Sequence, residues 1–100
     1  MTEANKVNDI LAILGRNIKR ARLRRNISSA NVAYSAEISR TTLVKIETGK
    51  KGVKIDAYIK VLSVLGLEED MAQVAQADIN GRTLVDQALD KRQRVKRISI

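Results

Sequence analysis

No proline interrupts this chain, and its apolar residues recur three and four positions apart through several segments. Proline breaks helices by removing an amide donor and clashing with the preceding turn, so its absence leaves long helices possible. Three- and four-residue spacing puts apolar side chains on one face of a helix. The apolar residues are almost all Leu, Ile, Val and Ala; there is no Phe and no Trp, and the aromatic residues are Tyr34 and Tyr58. That palette suits helix-on-helix packing and gives no sign of the short strands of a sandwich or barrel. An all-α fold is the expectation, in a chain of 100 residues that has room for one domain, or a small domain and an appendage.

The pattern predicts a first helix from Asn8 to Arg25, with Ile10, Leu11, Leu14, Ile18 and Ala21 in its apolar stripe. Gly15 falls inside it, at a cost of about 1 kcal/mol relative to Ala, so the part before Gly15 reads as a separate turn, a helix extension or an arm. Asn26 tolerates the left-handed conformation and ends this helix. Ser28 and Ser39 are N-cap signals, each with a hydroxyl able to accept from free amides of the next turn. They open two short helices, one with Val32 and Ala33 inward and one with Leu43 and Ile46 inward. Gly49 ends the second. A helix from Ile55 to Leu65 follows, with Ile55, Tyr58, Ile59, Leu62 and Leu65 as its buried stripe and Gly66 as its stop. Glu68, Glu69 and Asp70 oppose the dipole of a fifth helix reaching Ala77, with Met71, Val74 and Ala75 inward. Asn80-Gly81 is a turn signal, and Thr83 with Asp86 resembles a capping box opening a last helix through Leu84, Val85, Ala88 and Leu89.

The net charge is +8, with 19 Lys and Arg against 11 Asp and Glu. Such a balance in a small chain points to a polyanion, and clustered cations are the footprint of phosphate binding. A membrane surface is disfavoured, because an interfacial helix needs large apolar anchors and Phe and Trp are missing. No apolar run reaches the length of a membrane span or a signal core, so a cytoplasmic protein is expected. The absence of Cys and His removes disulfides, zinc fingers and His-based acid–base chemistry. No metal site, no cofactor and no catalytic residue are expected, and the chain does not read as an enzyme. Charge is unevenly spread: residues 1–67 carry +8, residues 68–80 carry −4 and residues 81–100 carry +4. The division expected is an arm or helix extension over 1–13, a domain over 14–78 and a basic tail over 79–100.

Two short helices joined by a tight turn, the second showing short polar and cationic residues, form a DNA-reading unit. The run Leu14–Leu67 resembles the Xre/Cro family of helix-turn-helix domains. The matching pieces are Leu14-Gly15, Ile18, Arg22, Ile27-Ser28, Val32-Ala33, Ile38-Ser39-Arg40, Thr42-Leu43, Lys45-Ile46-Glu47, Gly49-Lys50 and Val64-Leu65-Gly66-Leu67. The resemblance implies a five-helix, lambda-repressor-like fold with a basic helical or disordered tail. It places Arg40, Thr41, Val44 and Lys45 toward base edges, and Ser29, Thr42, Thr48, Lys50 and Lys51 toward phosphates. It implies a structural ion pair between Arg22 and Glu47. The chain departs from the pattern at Glu37, where the turn commonly holds Gly, at Ser29 in place of Gln, at Val53 in place of Pro, and at Lys54 in place of a capping Ser or Thr.

Paired half-sites imply a homodimer on double-stranded operator DNA, with Met71, Val74, Leu84 and Leu89 as candidate dimer or partner surface. The layout of basic body, acidic stretch and basic tail also resembles the antitoxins of HipA-like kinase toxin systems. That likeness implies an autoregulating repressor that additionally binds a toxin kinase. The alternatives are a stand-alone phage-type regulator and a protein-interaction adaptor without specific DNA binding. Arg40 and Lys45 argue against the adaptor.

Overall fold

Five helices follow one another: α1 (Glu3–Arg24), α2 (Ser29–Ser35), α3 (Arg40–Glu47), α4 (Ile55–Val64) and α5 (Glu68–Ala72). They are seen in a computed structural model that describes residues 3–78, together with Gly81 and Leu89. The fold is all-helical, with no strand among the described residues.

The core is built from Ile18 and Ala21 of α1, Val32 and Ala33 of α2, Leu43 and Ile46 of α3, and Ala57, Tyr58, Val61 and Leu62 of α4. Ala36 and Leu65, at the ends of α2 and α4, complete it. Leu43, Ile46, Val32 and Val61 are fully enclosed. Burying each contributes about 1.5–3 kcal/mol relative to exposure, so the short helices are held mainly by this shared interior.

Helices α1 to α4 all stop in the same way. The residue after each C-cap has positive φ: Asn26 (54°), Glu37 (57°), Gly49 (73°) and Gly66 (75°). The amide of the following residue then reaches back over the last turn, from Ile27 to Arg22 O, Ile38 to Ala33 O, Lys50 to Lys45 O and Leu67 to Leu62 O. This is the Schellman arrangement, which satisfies carbonyls that a helix end otherwise strands. Ile27, Ile38 and Leu67 also pack against the core, so three of these stops carry an apolar anchor.

Helix α1 begins at Glu3, earlier than the periodicity predicts, and runs unbroken through Gly15. A β-carbon at residue 15 would run into the carbonyl oxygens of Ile46 and Glu47. Gly15 is therefore the point where α1 touches the end of α3 backbone to backbone, and the helix accepts its propensity cost for that approach.

Two predicted stripes are corrected. On α4, Ala57 and Val61 face the core with Tyr58 and Leu62, whereas Ile55 and Ile59 are 63% and 41% exposed. The helix is apolar nearly all round, and its contacts with α2 and α3 select the inward face. Helix α5 ends at Ala72 instead of continuing to Ala77. Ala75 takes positive φ (65°), and Val74 is 68% exposed. Only Met71 of that predicted inner face packs on the core. Gly81 is helical, not a turn residue, and its amide donates to Asp78 Oδ1 at 3.3 Å. The helix expected from Thr83, including Leu84, Val85 and Ala88, lies outside the described residues, as does the basic run 91–97.

Candidate nucleic-acid interface

Helices α2 and α3 each start on a serine whose hydroxyl replaces a missing backbone acceptor. Ser28 Oγ accepts from the Asn31 amide at 3.1 Å, and Ser39 Oγ accepts from the Thr42 amide at 3.0 Å. Such caps contribute about 0.5–2 kcal/mol each. Between them the turn Ala36–Ile38 has Glu37 in the left-handed region, the conformation for which Gly is the low-cost residue.

The far end of α3 is tied to α1. Arg22 Nε donates to Glu47 Oε2 at 2.7 Å and Nη2 donates to Oε1 at 3.0 Å, a two-pronged pair. Nη1 donates to the Ile27 carbonyl at 3.0 Å. The two side chains are 10% and 8% exposed, so the pair lies beneath the surface. The Glu47 hydrogen bond raises the Arg22 pKa, and the carboxylate charge adds to it against the opposing effect of burial. The guanidinium thus stays charged throughout the working pH range.

With Leu43 and Ile46 enclosed and Glu47 fastened, the opposite face of α3 is fixed in orientation. Arg40, Thr41, Val44, Lys45 and Thr48 recur at positions that share this outer face, and all five are exposed. Val44 shows 56% of its surface. The predicted base-facing residues are therefore brought together on one side of one helix. The predicted phosphate residues are more varied. Lys50 and Lys51 are exposed just beyond the helix. Thr48 donates its hydroxyl to Val44 O at 2.6 Å, so its oxygen is positioned by the helix. Thr42 is half-buried, with Oγ1 2.9 Å from Ser39 Oγ, and it supports the cap. Ser29 is half-buried in the first turn of α2.

Lys60 was not singled out from the sequence, and Lys54 was noted there only as a departure at a helix cap. They border a groove that also contains Thr42 and Lys45, beside Ile38, Val53 and Asp56. Their signal was their charge alone, and only the packing of α4 on α3 brings them near the outer face of α3. Lys54 occupies the N-cap of α4 with no side-chain cap bond, the consequence expected where Ser or Thr is replaced. Of the predicted partner surface, Met71 is half-buried, Val74 is exposed, Leu89 is helical and 44% exposed, and Leu84 lies outside the described residues.

Two short capped helices meeting at a tight turn, with the second buried on one side and polar and cationic on the other, define a helix-turn-helix unit. Residues 13–75 match the family model of the helix-turn-helix domain, and the chain belongs to that family. No curated protein sequence matches the chain. A helix-turn-helix domain makes DNA the expected partner class, and among the described residues no helix is long and apolar enough to cross a membrane.

Proposed function

We propose that this chain is a dimeric, sequence-specific repressor of transcription that binds operator DNA in the cytoplasm. The observation that carries the reading is α3: it is capped by Ser39, clamped by Arg22 and Glu47, and turns Arg40, Thr41, Val44 and Lys45 outward together. A helix held this way enters the major groove as a rigid body. Arg40 suits the two acceptors on guanine, where a bidentate contact is worth about 1–3 kcal/mol of discrimination, and Val44 suits a thymine methyl. Lys50 and Lys51 set register on phosphates, with Ser29 and Thr42 contributing hydroxyls, and Thr48 joining them by turning its hydroxyl from the Val44 carbonyl. The protein acts by binding and not by catalysis, over the domain 14–78, with 1–13 and 79–100 as extensions.

In its biological form we propose an autoregulating antitoxin that also holds a kinase toxin; the basic, acidic, basic division of charge supports that finer reading. Co-purification with the product of an adjoining kinase gene tests it, and absence of any such complex returns the protein to a stand-alone regulator.

The DNA reading is tested by titrating the full chain against its own upstream region at two salt concentrations, with Arg40→Ala beside the unaltered protein. Tight binding that loses base preference in the variant is expected. Weak, sequence-blind binding that ignores the substitution refutes the assignment and favours an adaptor.

A further inference from the structure

Helix α1 has 22 residues, against ten in α4, the next longest among the described helices. Among the described residues, Leu11 and Ala12 are where α1 meets the body: Leu11 packs on the core and Gly49 lies against the backbone of both. Residues 3–10 lie ahead of that contact, a helical stretch of about 12 Å. It extends a helix already nucleated on the body, so it forms by propagation alone. It also exposes its apolar residues: Val7 is 53% exposed and Ile10 62%.

Val7, Ile10, Leu14 and Asn17 share one face of α1. Leu14 and Asn17 in turn form one wall of a groove of about 200 Å³, whose other wall is Leu62, Leu67, Met71 and Val74. Overhang and groove are thus one continuous apolar strip.

We propose that this strip is the surface on which a second copy of the chain docks, with α1 antiparallel to its counterpart and each Val7–Ile10 overhang lying in the partner's groove. The proposal rests on the paired half-site reading above, and it gives that reading a surface. Two observations select a second copy. A two-fold contact sets one patch against itself, and this patch supplies both the projecting element and the hollow that receives it. Charge selects the same face. A body carrying +8 over residues 1–67 repels its copies, yet residues 3–14 carry only Glu3, Lys6 and Asp9, and Asp70 stands on the rim of the groove. Lys6 of one copy then approaches Asp70 of the other.

Sedimentation of the full chain at micromolar concentration is expected to give twice the chain mass of 11.1 kDa, and Ile10→Asp to give the single mass with an unchanged helical spectrum. A single mass for the unaltered chain, or a doubled mass that survives Ile10→Asp, overturns the proposal. The chain has no cysteine, so Ile10→Cys with a short bismaleimide decides the matter if Ile10→Asp unfolds. A covalent dimer supports the two-fold contact, and its absence refutes it. An intrachain link in Ile10→Cys/Leu89→Cys without any dimer also overturns it, placing the chain's own tail in the groove. Base preference on a single half-site, measured with Ile10→Asp, reports on DNA reading separately. Its loss in the unaltered chain counts against the proposed function, whereas its retention in a monomer leaves that function standing.

Discussion

Replacing Glu47 with Ala leaves the Arg22 guanidinium beneath the surface with Nε and Nη2 unpaired and the Ile27 carbonyl as its remaining partner. Removing one member of a buried pair costs about 3–5 kcal/mol, and since this pair sits just under the surface the lower end applies, about 3 kcal/mol. A domain of this size has a total stability of only about 4–11 kcal/mol. At about 4–8 °C per kcal/mol, the midpoint of thermal unfolding should fall by about 12–24 °C. Circular dichroism melts and urea titrations at neutral pH measure it directly. The double substitution Arg22→Met/Glu47→Leu removes both charges and keeps the volume, so it should recover most of the loss. A Glu47→Ala protein that melts within a few degrees of the original would refute the account, because the clamp would then contribute no more than an exposed ion pair.

Gly15→Ala drives a β-carbon into the backbone of Ile46 and Glu47, neither of which can rotate away, and it should destabilise the domain despite alanine's better helix propensity; a melt that rises instead would show that α1 can shift. Glu37→Gly removes a left-handed non-glycine from an exposed turn and should stabilise by about 1 kcal/mol in urea titration. Tyr58 is 4% exposed, its hydroxyl has no partner among the described residues, and burial raises its pKa. The unfolded chain therefore ionises first, so the stability tied to Tyr58 is complete below the ordinary value of 10.0 and declines as pH rises beyond it. Tyr58→Phe should be neutral or slightly stabilising at pH 7 and should flatten that alkaline decline.

What could be read from the sequence was what short-range chemistry decides. Ser28 and Ser39 as caps, and Asn26, Gly49 and Gly66 as stops, depend on residue types within one turn of chain, and each occurs where the pattern placed it. The inward face of α4 was misread because Ile55 and Ile59 satisfy a helical stripe as well as Ala57 and Val61 do; neighbouring helices, not periodicity, choose between them. The early end of α5 had no signal, since alanine at residue 75 gives no hint of positive φ. Gly15 read as a weakness in a helix, and only the approach of α3 from distant sequence shows it to be a contact. On α3, the outward grouping of Arg40, Thr41, Val44 and Lys45 followed from spacing, while the nearness of Lys54 and Lys60 required the packed fold.

Arg22 holds Ile27 twice, its carbonyl accepting the Ile27 amide and its side chain donating to the Ile27 carbonyl, while the same guanidinium grips Glu47. One residue thereby joins the end of α1, the entry to α2 and the end of α3. In thermodynamic terms, α3 loses its backbone conformational entropy when the chain folds, not when it meets a ligand. Contacts made by α3 then carry no backbone-ordering penalty, only that of their side chains, and the heat-capacity change on association should reflect the area covered, with no contribution from refolding of the helix.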